Sequence, residues 1–135
     1  MSGPEPLHPA SWKAARGYAN GMAAEGRLIF VAGQIGWTGD QVFETDDFAG
    51  QVRQALENVV AVLAAGGAEP AHLVRLTWFV TDKQRYLEDL AEVGAAYRAV
   101  IGRHYPAMTL VEVADLLEER AQVEIEATAV VPSAN

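Results

Sequence analysis

Two carboxylates spaced two residues apart, in Val123-Glu124-Ile125-Glu126-Ala127, are the groups in this chain best disposed to do chemistry. The alternation makes the segment a strand, with Val123, Ile125 and Ala127 on one face and Glu124 and Glu126 on the other. A carboxylate beside a partly dry cleft can hold a water and shuttle its proton, so Glu124 is the first candidate for a catalytic role. The competing role is a structural ion pair with Arg75 or Arg120. Glu126, on the same face, fits that structural role better. Upstream, Tyr105 to Val113 alternates in the same way and carries Met108 and Leu110.

The other reactive residue types narrow the chemistry by elimination. Serine occurs only at 2, 11 and 133, and cysteine is absent, so a Ser or Cys nucleophile with a His base is excluded. Lys13 and Lys83 fall in an arm and at a helix start, poor places for a Schiff-base lysine. His8, His72 and His104 lack metal-ligand spacing, and neither a metal nor a cofactor is expected. His104 reads as a surface-loop histidine. Gly33-x-x-Gly36-x-x-Gly39 departs from the dinucleotide fingerprint in spacing and does not run into a helix. Its glycines suit a tight turn and close backbone approach to a ligand, with Gly33 the candidate contact, although Gly33 would serve equally to end a strand.

Composition sets wider limits. The 135 residues, half of them apolar, make one domain with a single core, residues 1–15 forming a loose Pro- and Ala-rich arm. Eighteen acidic against ten basic residues give a net charge of −8, which opposes nucleic-acid binding because phosphate contacts need clustered Lys and Arg. No run of about 18 apolar residues is present to span a membrane. Met1 to Pro6 has neither a basic start nor an apolar stretch, so no secretory signal is expected. Together with the lack of cysteine, this makes the cytoplasm the expected location.

These residues must be positioned by a small set of elements. Residues 17–23 and 27–33 read as two strands forming a hairpin about Glu25-Gly26. From Asp46 the period becomes helical, with Phe48, Val52, Ala55, Leu56, Val59 and Leu63 on one face, Asp46 or Asp47 as cap and Gly66-Gly67 as stop. Leu73 to Thr81 is a strand. A second helix from Asp82 has an expected inner face of Leu87, Leu90, Gly94, Tyr97 and Ile101. Two strands close the order ββαβαββ: an α+β domain whose sheet has two helices on one face. The helix-free face is expected to carry Arg75, Thr77, Phe79, Leu110, Glu112, Glu124 and Glu126. That mixture of apolar and charged groups suits a subunit interface.

Five short segments in this order, Gly17-Tyr18, Ala32-Gly33-Gln34-Ile35, Gln54 to Val59, Pro106-Ala107 and Val123 to Glu126, resemble the Rid (RidA-type reactive intermediate deaminase) family across residues 17–131. The resemblance implies a chorismate-mutase-like fold and a homotrimer with small-metabolite clefts between subunits. It also implies cofactor-free hydrolysis of an imine or enamine, with release of ammonia. Carried over residue by residue, Glu124 would hold the attacking water, the Gly33 backbone would approach the ligand and Tyr18 would line the cleft. Read alone, Tyr18 is equally a core tyrosine with its hydroxyl at the surface.

The family opens its penultimate strand with Pro-Ala-Arg, and that arginine grips the substrate carboxylate. Here the tripeptide is Pro106-Ala107-Met108. A charge-assisted bidentate contact contributes about 1.5–3 kcal/mol, and methionine supplies none of it. Gly94 stands where a polar asparagine is common. Leu110 and Ala32 replace smaller polar or thiol groups, and Trp37 adds an aromatic ring. The chain therefore resembles an arginine-lacking branch of the family. Its expected activity is on a small imine other than the usual carboxylate-bearing one. The alternative is a trimer that binds a metabolite without turning it over.

Overall fold

The computed structural model describes residues 3–133. The chain runs β1 (Glu5–Leu7), β2 (Gly21–Ala23), β3 (Arg27–Ile35), α1 (Phe48–Ala65), β4 (Leu73–Val80), α2 (Lys83–Glu88), α3 (Leu90–Val100), β5 (Ala107–Glu112) and β6 (Val123–Val131). Four strands form one sheet in the order β3-β6-β4-β5. β6 lies antiparallel to both neighbours, whereas β4 and β5 are parallel, as the helical crossover between them requires. The domain is α+β with a mixed sheet, the class read from the sequence, but the expected order ββαβαββ gains the strand β1 and has its second helix split in two.

The core forms where helical and strand periods meet. All six apolar residues expected on the inner face of α1 are buried, against Leu76, Trp78 and Val80 of β4 and Val123, Ile125 and Ala127 of β6. Burying one such Leu, Val or Phe contributes about 1.5–3 kcal/mol, which is why this patterning dictates the layer. Asp47 caps α1 by accepting from the Gly50 N–H at 2.9 Å.

Several expectations are corrected. The hairpin does not form: β2 pairs with β1, β3 pairs with β6, and the arm expected to be loose thus contributes a strand. Residues 17–20 approach β5 instead, with the Ala19 N–H donating to the Pro106 carbonyl at 3.0 Å. The second helix is broken at Asp89, which ends α2 and begins α3. Val93, Ala96, Tyr97 and Ile101 of the expected helix are buried, while Leu87 and Leu90, on either side of the break, remain 51% and 49% exposed. Leu110 and Glu112 do not lie on the helix-free face. The parallel register pairs them with Trp78 and Val80, placing them on the helix side, where Glu112 accepts from the Lys83 N–H at 2.9 Å.

Candidate functional site

The residues singled out from the sequence fall into three places in one protomer. Tyr18, Met108 and Leu110 line a cleft of about 440 Å3 on the helix side of the sheet, between α3, β5 and the segment leading to β2. The Ala19–Pro106 hydrogen bond brings Tyr18 to β5, and the sheet register turns Met108 and Leu110 inward beside Leu76 and Trp78. Trp78, Tyr97 and Tyr105 complete an aromatic wall. Tyr97 stacks on Tyr105 with centroids 5.3 Å apart and on Trp78 at 6.5 Å. Burial, with the Tyr105 phenol beside it, pushes the Tyr97 hydroxyl well above the ordinary phenol range. It stays protonated and donates to the His104 carbonyl at 2.6 Å, a positioning bond rather than a source of base catalysis. His104 itself donates from Nε2 to the Leu73 carbonyl at 2.7 Å and ties the loop to β4. The Trp78 indole N–H is buried without an acceptor among the described residues, an arrangement that costs about 1–3 kcal/mol.

Gly33 and Glu124 lie together on the helix-free face. Between Val31 and Gln34 the β3–β6 register slips by one residue, so Ala32 and Gly33 both oppose Glu126. Such a bulge re-aims the strand locally. It leaves the Gly33 Cα against the Glu124 side chain: a Cβ at 33 would overlap Oε2 of Glu124 and stand 2.8 Å from its Cδ. Only glycine leaves the carboxylate where it is. Among the described residues, Glu124 has no hydrogen-bond donor or ion-pair partner. Arg120 pairs with Asp46 at 3.0 Å, and Arg75 reaches Thr109 at 3.5 Å. Neither arginine takes the pairing role considered for it within the protomer.

Trp37 occupies the third place, in the loop after β3, with its ring 5.8 Å from that of Phe43. Asn58 fixes this loop, donating to the carbonyls of Ile35 (3.1 Å) and Trp37 (2.7 Å) while its Oδ1 accepts from Gln54. The motif Gln54 to Asn58 was visible in the sequence, but this anchoring role was not. Gln51 was missed altogether. It is fully buried, donates to the carbonyls of Thr45 and Arg120 and accepts from the Gln122 N–H, which pins two loops to the start of α1. A lone polar residue one position before Val52 on the apolar face was the available signal. No three His, Asp or Glu side chains among the described residues gather to hold a metal ion. Among the described residues no helix is long and apolar enough to cross a membrane.

Residues 9–131 match the family model described as Endoribonuclease L-PSP. The fold superimposes on YyfB from Yersinia pestis, a member of the conserved Rid protein family, with a TM-score of 0.85 over 96% of this chain and 100% of that one at 27% identity. The chain belongs to the Rid family. Within that family it is 38% identical over 108 residues to the 2-iminobutanoate/2-iminopropanoate deaminase of Salmonella typhimurium, covering 78% of this chain and 80% of the relative. A solved structure of Escherichia coli TdcF with bound serine aligns at 32% identity and a TM-score of 0.67, over 87% of this chain and 91% of that one. The Rid fold thus has relatives named for imine deamination and one that holds a small amino acid.

Proposed function

We propose that this chain is a cofactor-independent hydrolase of a small imine or enamine. The reading is carried by one observation: the Glu124 carboxylate, without a partner among the described residues, lies against the Gly33 backbone on an open sheet face. A carboxylate so held can accept a proton from water as the oxygen adds to the imine carbon. The nitrogen takes up protons as the resulting carbinolamine collapses, and the carbon–nitrogen bond breaks to give a carbonyl compound and ammonia. Water and proton transfer suffice, so the reaction calls for no metal or organic cofactor. The site residues are Glu124 as catalytic group, with Tyr18, Gly33, Trp37, Met108 and Leu110 around the substrate.

Tyr18 and Met108 lie on the opposite side of the sheet from Glu124, so the reading requires a homotrimer in which the cleft of one subunit meets Gly33 and Glu124 of the next. The helix-free face suits such burial: Phe30 is 72% exposed there, beside Arg75, Phe79 and Val111. Met108 removes the usual grip on a carboxylate next to the imine carbon, so the substrate differs from the 2-imino acids named for the relatives. The net charge of −8 argues against carrying the ribonuclease description of the family over to this chain. The cytoplasm remains the expected location.

The same Met108 favours a second reading, a trimer that binds a metabolite without turnover. Assays of ammonia release on 2-iminopropanoate and on neutral imines, with Glu124→Gln alongside and mass by light scattering, separate the two. The hydrolase should exceed the spontaneous rate and lose about 10²–10⁴-fold in the variant while staying trimeric. A mass near 14.5 kDa would remove the shared site. Turnover at the spontaneous rate on every imine would leave the binding protein.

A further inference from the structure

The cleft that holds Met108 is not without positive charge. Its two charged lining residues are both arginines, Arg16 from the segment before β2 and Arg98 from α3, in a chain with eighteen acidic and ten basic residues. Arg27, Arg53, Arg75, Arg85 and Arg120 are each held by a carbonyl, hydroxyl or carboxylate. Among the described residues, Arg16, Arg98 and Arg103 have no such partner, and of these only Arg16 and Arg98 line this cleft. Arg98 also has a place made for it. Its Nη1 stands 3.1 Å from where a Cβ on Gly94 would be, one helical turn earlier on the same face, so a side chain at 94 would compete with the guanidinium for the cleft lip. Glycine inside a helix is less favourable than alanine, and here it opens room for a cation.

We infer that Arg98, seconded by Arg16, is the anion-binding group of this cleft, and that the cleft takes a monoanion with an aromatic or large apolar body. The charge arrives from α3 rather than from β5. An anionic group gripped at Gly94 is displaced from the position that a guanidinium at residue 108 would serve, and Met108 becomes apolar wall for the body of the ligand. In the protomer the cleft measures about 440 Å3 and is walled by Trp78, Tyr97 and Tyr105, and an aryl group fits the chemistry of that wall. The inference deepens the hydrolase reading, since it names the substrate class of that site.

Titration calorimetry with benzoate, acetate and benzamide separates charge from size, using the full-length protein, Arg98→Ala, Arg98→Lys and Gly94→Asn. Benzoate should bind at least about tenfold tighter than acetate or benzamide, the size expected of one charge-assisted contact or one buried ring. Arg98→Ala should weaken benzoate by about ten- to hundredfold, selectively over benzamide. Arg98→Lys should fall between, because lysine keeps the charge but not the fork. Gly94→Asn should weaken benzoate by displacing the guanidinium, and melting curves verify that each variant is folded. Benzoate binding unchanged in Arg98→Ala, or no tighter than benzamide in the wild type, overturns the inference. Assays on 2-imino acids generated in place from phenylalanine and from alanine distinguish the two levels. Absence of all turnover with the benzoate pattern intact removes the hydrolase and keeps the anion site. Turnover of the aromatic imino acid with an unchanged KM in Arg98→Ala does the reverse.

Discussion

Gly33→Ala tests Glu124 without altering its charge. The added methyl meets Oε2 and Cδ of Glu124, the movable end of a side chain rather than backbone, so the carboxylate shifts and the strand stays. The expected outcome is turnover reduced by about ten- to a thousandfold, the penalty for a displaced proton acceptor, with thermal stability nearly intact. Steady-state assays and melting curves on the one variant measure both. Turnover equal to wild type would show that the position of Glu124 is immaterial. At this scale the sequence identified Gly33 and Glu124 separately, because glycine and an alternating strand are visible one residue at a time. Their contact was not legible. It depends on the bulge at Ala32-Gly33, and a period of two carries no record of a register slip. Arg98 was not legible because the apolar spacing that marks its helix, Leu90, Gly94, Tyr97 and Ile101, leaves it out, and its approach to the cleft depends on how α3 packs.

Between elements, Gln51 is the buried polar side chain that ties loops to a helix. Its three hydrogen bonds hold residues 45 and 120–122 to the start of α1, and it has no exposed surface. Gln51→Ala leaves a cavity and strands the Gln122 N–H and two carbonyls. The expected loss is about 2–4 kcal/mol, read as a lower urea midpoint, with β6 destabilised at the end that carries Glu124. A loss below about 0.5 kcal/mol would mean that water replaces the amide without penalty. Helix α1 was legible because six apolar residues at helical spacing leave no other burial pattern open. The β2–β3 hairpin was misread because a turn at Glu25-Gly26 says nothing about which edge each strand prefers. β3 gains more by pairing over most of its length with β6 than β2, three residues long, could offer. Leu110 was assigned to the wrong face for a related reason: only the parallel register with β4 fixes which alternate residues of β5 turn inward.

At the scale of the whole molecule, the sheet separates the candidate groups. Met108 and Tyr18 belong to its helix side, Gly33 and Glu124 to its bare side, and the four-stranded order leaves no path by which one protomer could bring them together. The family resemblance implies clefts between subunits, but the sequence alone did not show that the two groups would be divided between faces. This division makes the protein testable by genetics of mixed subunits. Take one variant spoiled only at Glu124 and another spoiled only in the cleft, at Tyr18 or Arg98, each inactive alone. When they are unfolded together and refolded in equal amounts, random assembly unites an intact cleft with an intact Glu124 at about a quarter of the junctions in a closed ring. Activity should therefore reappear from two dead preparations, at about a quarter of the wild-type rate per site. Were all the machinery within one chain, mixing would restore nothing, since no subunit in the mixture is whole.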